Sequence, residues 1–225
     1  MSWEQLLFAH WPVPAEPLQA LLQPDLELDT FDGQAWIGVV PFRMTNTAPR
    51  FLPVLPGIGS FLELNVRTYV RYRGKPGVWF FSLDATSWLS VRGARLTYYL
   101  PYFDAAISAN REGKRIHYRS ERTDWRTAAA SLDIEYEPTG PPSPAKPGTH
   151  DHWLTERYRL YSQTPGGRLV FGEIEHEPWP LQPARATINK LDMTAWMGLD
   201  LPPVAPILHY AETLHVHAGR PVFAV

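Results

Sequence analysis

The chain has 225 residues, of which 44% are hydrophobic and 20% charged, and this balance excludes an intrinsically disordered protein. Acidic and basic residues nearly cancel to a net charge of −2, so no overall field favours nucleic acid or an anionic membrane. The absence of cysteine excludes disulfides, thiolate catalysis and cysteine-ligated metal centres.

The length suits a single domain over residues 1–225, because mostly-β folds of this size often form one unit. No apolar run approaches the roughly 20 residues that a membrane helix needs. The N-terminal residues lack the basic segment of a signal peptide. We therefore expect a cytoplasmic protein whose partners include neither a membrane nor nucleic acid.

Helices and a hairpin are predicted for the N-terminal part of the chain. Ser2 and Gln5 form a capping-box pattern, which predicts a short helix that ends before Pro12. A second short helix is predicted over 16–22. The turn residues Asp32-Gly33 then predict a β-hairpin, since Asp-Gly is the strongest short turn signal. Its two strands would cover 26–30 and 35–44.

The longest alternating segment runs from Phe61 to Arg73 and is followed by a Gly-Lys-Pro-Gly turn and an apolar run at 78–83. These patterns predict an antiparallel hairpin over 61–84. Helical segments are predicted farther on at 86–96, 150–156 and 194–199. Further strands are predicted at 102–109, 115–122, 131–136, 158–162, 168–175 and 207–217.

About ten short strands with a few short helices indicate an α+β fold that is mostly antiparallel β. Long alternating strands with mixed polar faces need either solvent or an interior cavity beside them. We therefore expect the sheet to close into a barrel-like form.

One face of the long strand supplies the main candidate site. Glu63, Asn65, Arg67 and Tyr69 all fall on this face, with about 6.5–7 Å between successive side chains. Arg67 would hold the carboxylate of a small ligand, and Glu63 would act as a base or orient the arginine. Asn65 and Tyr69 would orient the ligand. The alternative is a solvated outer face, on which a Glu–Arg pair contributes little.

Additional ligand-binding candidates lie outside this strand. Arg43 follows an apolar strand and could border a barrel mouth or face water. His10 is a possible general acid or base, although a histidine at a helix end has a purely structural explanation. Tyr102 could line a cavity or simply pack in the core, and Glu156 is a possible second carboxylate.

The histidines raise the question of a metal. His150/His152 and His215/His217 form two His-x-His pairs; the second pair shares one face of a predicted strand, and His209 and Glu212 are near it in sequence. Exposed histidines are the simpler explanation, and neither pair has a firm third ligand, so no metal is assigned. Nucleotide-binding and esterase motifs are absent from the sequence, and we expect no cofactor.

Five longer strings carry a resemblance to a known family: residues 3–12 (WEQLLFAHWP), 35–42 (AWIGVVPF), 61–69 (FLELNVRTY), 77–84 (GVWFFSLD) and 176–182 (HEPWPLQ). Together they resemble the YqjF-like bacterial family of unknown function, which is similar in fold to acetoacetate decarboxylase. The resemblance implies a closed, conical antiparallel barrel with a central cavity. It implies no established activity.

The resemblance to the decarboxylase fails at one chemical feature. Decarboxylases of that fold use a lysine, placed just after an apolar strand, to form a Schiff base with a keto acid. The corresponding stretch here, 78–83, contains no lysine. The four lysines lie where an ammonium would be solvated: Lys75 and Lys114 in turns, Lys146 in a proline-rich loop and Lys190 before a short helix. We therefore do not expect Schiff-base decarboxylation.

Two functional hypotheses follow. In the first, the barrel binds a small organic acid, and any catalysis is a non-covalent lyase, hydratase or isomerase reaction on a keto or enol acid. In the second, the chain is a non-catalytic oligomeric or interaction module. Aromatic strings around Trp11, Trp179 and Trp196 would then form the interfaces of a homo-oligomer.

Overall fold

The computed structural model describes residues 1–47, 59–86 and 98–224. Thirteen β-strands, two α-helices and one 3-10 turn make up this described part. In chain order they are β1 Ser2–Val13, α1 Ala15–Ala20, β2 Glu27–Leu28, β3 Ala35–Thr45, β4 Phe61–Tyr72, β5 Lys75–Ala85, β6 Tyr102–Glu112, β7 Arg115–Arg122, β8 Ser131–Pro138, α2 His150–Thr155, β9 Arg159–Gln163, β10 Leu169–His176, β11 Gln182–Asp192, the 3-10 turn Ala195–Met197, β12 Ile207–Ala218 and β13 Val222–Phe223.

Nine strands close into a ring in the order β5, β6, β7, β8, β11, β12, β1, β3, β4 and back to β5. The pairs within this ring are antiparallel except β5–β6, which is parallel. Strands β9 and β10 form a second wall, since β9 pairs with β5 and β10 pairs with β12. The predicted closed, mostly antiparallel barrel is confirmed.

Five strands of the ring, β12, β1, β3, β4 and β5, are connected at their two ends to the β9–β10 wall as well as to the rest of the ring. They carry a hydrophobic core on each face. The first core joins Leu64 and Val66 of β4 to Tyr118 of β7. The second core joins Tyr69 of β4 to Leu160 of β9 and to other side chains of that wall. Every residue of β4 from Phe61 to Val70 is therefore buried.

Several sequence-based predictions are confirmed. Strands β4 and β5 form the expected hairpin, with Arg73 and Gly74 in its turn at φ values of +48° and +74°. The β6–β7–β8 strands, the β9–β10 hairpin, α1, α2 and β12 also lie where predicted. The helix predicted over 86–96 falls almost wholly outside the described residues. In the part of the chain that the structure describes, no helix has the length and hydropathy required to cross a membrane.

The helix predicted from Ser2 and Gln5 is wrong, because this segment forms β1. Strand β1 pairs with β12 along one edge and with β3 along the other, and it buries Leu6, Leu7 and Phe8. A capping box contributes about 1 kcal/mol to a helix. Pairing on both edges and burial on both faces outweigh it. Gln5, at a φ of +54°, lies where the β1–β3 register shifts.

Two other details of the topology differ from the predictions. The Asp32-Gly33 turn exists, but the strand before it, β2, pairs with β4 rather than with β3. Strand β11 was not predicted at all. Its residues alternate between half-buried and exposed, a pattern weaker than that of the core strands. β11 completes the nine-strand ring between β8 and β12.

Candidate functional site

The polar face of β4 lies inside the protein. Glu63, Asn65, Arg67 and Tyr69 are 2%, 5%, 8% and 0% exposed. They alternate with the apolar residues that point into the first core, so they face the second core. The alternative of a solvated outer face is therefore wrong. Four polar side chains share one buried face of the sheet.

Glu63 occupies one end of this face, near the start of β4. The Tyr102 hydroxyl donates a hydrogen bond to Glu63 Oε2 at 2.9 Å. Burial raises the pKa of Glu63 to about 8, and the hydrogen bonds from Tyr102 and Asn65 oppose this shift only partly. At neutral pH the carboxyl therefore keeps its proton, and its pKa suits a group that exchanges a proton near neutrality.

His10 and Tyr69 meet at the other end. The Tyr69 hydroxyl lies 2.6 Å from His10 Nε2 and donates to the backbone carbonyl of Leu154 at 2.7 Å. A carbonyl can only accept, and the hydroxyl has one proton, so His10 Nε2 must carry a proton and donate it to Tyr69. Burial, followed by the charge of Arg67, holds the pKa of His10 well below its usual value. The ring is therefore neutral, with an unprotonated Nδ1.

Gly38 of β3 lets His10 and Arg67 come together. His10, Gly38 and Arg67 are aligned across β1, β3 and β4. A Cβ on Gly38 would lie 3.1 Å from the His10 ring and 3.5 Å from Arg67 Cγ. Both side chains also contact Phe8, whose ring centroid lies 5.8 Å from that of His10 and 5.1 Å from Arg67 Cζ.

The short helix α2 covers this end of the site. Thr149 caps its N-terminus by accepting from the His152 amide. The Trp153 ring packs 4.7 Å from the Tyr69 ring, and Leu154 supplies the carbonyl that Tyr69 binds. Asp151 lies 3.2 Å from His209 Nε2 on β12. The helix is thereby fixed over Tyr69 by several contacts.

Arg67 differs from the other buried arginines of the described residues. Arg122 forms two hydrogen bonds with Asp84, at 2.5 and 2.7 Å, and Arg157 binds Asp29 at 2.7 Å. Arg67 forms no ion pair with any described carboxylate, and its Nε has no hydrogen-bond partner. Its guanidinium lies over the aromatic rings of Phe8 and Tyr69.

The structure places some predicted site residues elsewhere. Arg43 pairs in register with Leu62 rather than with Glu63, and it lies near the tyrosines of the first core. It is therefore not brought together with Arg67. Glu156 accepts hydrogen bonds from the Trp179 amide at 2.9 Å and from the Tyr158 hydroxyl. Its carboxylate therefore fixes the backbone at Trp179, a residue of the second core. Arg50, a weaker candidate, lies outside the described residues.

The histidine pairs do not assemble into a metal centre in the described residues, where no group of three or more metal-ligating side chains occurs. His209 faces Asp151, whereas His215 Nδ1 lies 3.0 Å from Ser2 Oγ. His150 packs instead between the rings of Phe31 and Trp36.

The tryptophans proposed for an oligomer interface are largely buried, and that prediction is wrong for two of them. Trp11 is 3% and Trp179 is 2% exposed, and Trp196 is half-buried. Trp179 packs edge-on against Phe8, so it belongs to the second core. Among the tryptophans that the structure describes, Trp125 is the exposed one, at 90%.

Two residues of the site were missed in the sequence. Gly38 sits in the middle of the apolar string 35–42, and a glycine inside a strand often marks a close approach of neighbouring groups. Phe8 was assigned to a helix, which concealed that it shares a face with His10 at a spacing of two residues.

Comparison with known proteins places the chain in a family. Residues 1–215 match the model of DUF2071, a family of uncharacterized conserved proteins. This chain belongs to the DUF2071 family. A relative, the uncharacterized protein YqjF of Bacillus subtilis, is 48% identical over 211 residues, which cover 94% of this chain and 86% of YqjF.

Solved structures show that the DUF2071 chain shares its fold with acetoacetate decarboxylase-like proteins. The decarboxylase of Legionella pneumophila matches with a TM-score of 0.63 at 14% identity, over 99% of this chain and 87% of its own. The enduracididine biosynthesis enzyme MppR in complex with pyruvate gives 0.66 at 14% identity, over 99% and 88%. An acetoacetate decarboxylase-like enzyme from Sphingomonas wittichii gives 0.63 at 16%, over 100% and 92%.

Proposed function

We propose that this DUF2071 protein binds a small organic acid on the buried polar face of β4. Arg67 holds the carboxylate of the ligand, and Asn65 and Tyr69 orient it. Glu63 lies farther along the same face and exchanges a proton with a ligand that reaches it. The reaction class that suits these groups is a non-covalent lyase, hydratase or isomerase step on a keto or enol acid.

The observation that carries this proposal is the missing counter-charge of Arg67. A buried guanidinium without an anionic partner costs several kcal/mol in desolvation. The chain meets this cost at Arg122 and Arg157 by placing an aspartate beside each. At Arg67 the aromatic rings of Phe8 and Tyr69 compensate for only part of it. A ligand carboxylate would supply the rest.

Unpaired polar atoms around Arg67 support the same conclusion. Besides Arg67 Nε, the buried atoms His10 Nδ1 and Asn65 Oδ1 have no hydrogen-bond partner. Buried polar groups in proteins are nearly always paired, and a functional role is one of the explanations for an exception. These three atoms belong to side chains on one face of β1 and β4.

The lysines favour chemistry without a Schiff base. Lys75, Lys114, Lys146 and Lys190 are all exposed, so none shares the buried face with Glu63 and Arg67. A lysine that forms a Schiff base is activated by an apolar pocket or by a neighbouring cation, and an exposed side chain lacks the apolar pocket. MppR, which shares the fold at 14% identity, is known in complex with pyruvate, a small organic acid, and this supports the ligand class proposed here.

Thermal unfolding with a panel of small mono- and dicarboxylic acids tests the proposal. At least one acid should raise the melting temperature of the wild-type protein. The variant Arg67→Met should lose this response. It should also be as stable as the wild type or more stable without ligand, because it removes an unpaired buried charge.

Arg119→Met is the matched control, since Arg119 is 61% exposed on β7 and lies outside the site. It should retain the response of the wild type. If no acid shifts the melting temperature, or if Arg67→Met responds as the wild type does, the proposal is wrong.

A further inference from the structure

We infer that α2 is a gate through which ligands reach the polar face of β4. Its N-terminal end swings away from the barrel, while the chain after its C-terminus stays in place. The four polar side chains of that face are at most 8% exposed, so a ligand reaches them only when a covering element moves. The purpose of the gate rests on the organic-acid function proposed above, whereas its opening is measurable without any ligand.

Of the elements that cover this face, α2 is the one outside the sheet. β9 pairs with β5 on one edge and with β10 on the other, and β10 also pairs with β12. Moving either strand would break a ladder of backbone hydrogen bonds. α2 contacts Tyr69 of β4 through the hydrogen bond to the Leu154 carbonyl and through the packing of the Trp153 ring. Segments held by few long-range backbone hydrogen bonds open locally at lower free energy than core strands, so α2 is the element that moves.

The chain after α2 is anchored to the barrel. The Glu156 carboxylate accepts a hydrogen bond from the Trp179 amide at 2.9 Å. Arg157 binds Asp29 at 2.7 Å, and both side chains of this ion pair are buried. These contacts fix the C-terminal side of α2, so the opening movement turns about residues 156–157.

The N-terminal side of α2 is held more weakly. The preceding segment 144–149 is mostly exposed, and its backbone hydrogen bonds with other described residues stay within this segment and α2. Asp151 forms an ion pair with His209 of β12 at 3.2 Å, but Asp151 is 52% exposed, and ion pairs with an exposed partner contribute little. His150 adds packing against the aromatic rings beside it. This end of α2 is therefore the one that is released.

His10 and Tyr69 lie directly beneath α2. His10 is fully buried, and its Nε2 lies 2.6 Å from the Tyr69 hydroxyl, which donates to the Leu154 carbonyl. The Arg67 guanidinium lies over the Tyr69 ring, 5.9 Å from its centroid. Opening of α2 breaks the hydrogen bond between Tyr69 and Leu154 and brings solvent or a ligand to these side chains. Leu154 is itself fully buried, so the closed form is the major one.

A buried thiol measures the opening in the absence of ligand, because the chain has no cysteine of its own. His10→Cys places a thiol beneath α2, and Val66→Cys places one in the first core, on the opposite face of β4. Under native conditions the thiol of His10→Cys should react with DTNB at least about tenfold faster than that of Val66→Cys. Its rate should change little in dilute urea, since opening of α2 exposes little surface, whereas the rate for Val66→Cys should rise steeply.

Two tryptophans assign the opening to α2. Trp153→Ala, made in the His10→Cys background, should raise the reaction rate about tenfold or more, because it removes the ring that packs on Tyr69. Trp125→Ala is the matched control, since Trp125 is 90% exposed, and it should leave the rate unchanged.

Hydrogen exchange of the wild-type protein, followed by mass spectrometry, needs no variant of the site. The amides of Trp153 and Glu156, which bond to carbonyls at the start of α2, should exchange at least about tenfold faster than the amides of β4. α2 amides that exchange as slowly as those of β4 overturn the inference. So does a thiol of His10→Cys that reacts no faster than that of Val66→Cys.

Locking α2 in place connects the gate to binding. 1,3-Dichloroacetone can bridge the thiols of Asp151→Cys and His209→Cys, which replace the ion pair between α2 and β12. The matched bridge joins Arg119→Cys to Asp133→Cys, since these residues are paired on the outer face of β7 and β8. Stopped-flow tryptophan fluorescence with pyruvate as the probe should show binding at least about tenfold slower in the protein bridged at α2, and the wild-type rate in the control.

Equal pyruvate binding rates in the two bridged proteins overturn the gate and leave the organic-acid function in place. If pyruvate binds to neither bridged protein nor to the wild type, the thiol and amide rates decide the gate. The acid panel with Arg67→Met then decides the proposed function separately.

Discussion

Replacing Glu63 by glutamine should change how the stability of the protein depends on pH. The pKa of Glu63 is about 8 in the folded state and 4.5 in its unperturbed state, because burial disfavours the charged form. The unfolded chain releases this proton at lower pH than the folded chain does. Between pH 4.5 and pH 8 the folded state therefore binds more protons, and the free energy of unfolding falls as the pH rises.

The size of this effect follows from the two pKa values. Integration over the range from pH 5 to pH 8 gives a loss of about 3 to 4 kcal/mol of wild-type stability from this one group. Glutamine resembles the protonated carboxyl in shape and does not titrate. The stability of Glu63→Gln relative to wild type should thus increase by about 3 to 4 kcal/mol over the same range.

Chemical denaturation followed by tryptophan fluorescence, at half-unit steps from pH 5 to pH 8, measures this difference directly. Glu121→Gln is the control, since Glu121 is exposed on β7, and it should follow the wild type at every pH. A difference between Glu63→Gln and wild type that stays constant with pH would show that Glu63 is ionised in the folded protein. The argument for a protonated acid in the site would then be wrong.

Three further substitutions test other parts of the site and of the core. Tyr102→Phe removes a hydrogen bond that favours ionised Glu63, so the loss of stability should continue farther above pH 8 than in the wild type when the denaturation series is extended to higher pH. Gly38→Ala places a methyl group 3.1 Å from the His10 ring, so it should lower the free energy of unfolding by about 1 kcal/mol or more and weaken acid binding in calorimetry. Gly172→Ala is the control, since its methyl group would have no atom nearer than 3.4 Å, and it should change neither quantity. Arg122→Met leaves Asp84 unpaired and should lower the free energy of unfolding by about 3 to 5 kcal/mol at neutral pH. The loss should be smaller in acid, where Asp84 takes up a proton. Arg185→Met, which removes an exposed pair with Glu137, is the control and should lower the free energy of unfolding by less than about 1 kcal/mol.

The alternation of residues along β4 predicted which side chains share a face but left open what covers that face. The period of two residues follows from strand geometry and is visible in the sequence. The covering elements α2, β9 and β10 are far away along the chain, and no local pattern connects them to β4. Burial of Glu63 and Arg67 therefore became apparent only from the fold.

The wrong prediction of a helix in the segment that forms β1 has the same origin. The Ser2–Gln5 pattern is a local signal worth about 1 kcal/mol, whereas the strand is stabilised by pairing with β12, at the opposite end of the chain. Ion pairing was equally hard to foresee. Glu63 and Arg67 are close in sequence and of opposite charge, yet the buried ion pairs are made by Arg122 and Arg157, which bind Asp84 and Asp29 from other parts of the chain.

Strand geometry also limits which ligand can use both ends of the site. Glu63 and Arg67 are four residues apart, so their Cα atoms are separated by about 13 Å along β4. A three-carbon acid with its carboxylate at Arg67 does not span that distance. Proton transfer with Glu63 therefore requires a longer acid that extends past Asn65, and its added atoms would lie along the aromatic side chains of the second core. At neutral pH the face carries the charge of Arg67 alone, since Glu63 and His10 are neutral. A monoanion cancels that charge, whereas a dianion would leave one negative charge buried and unpaired, so the site should favour an elongated monocarboxylate.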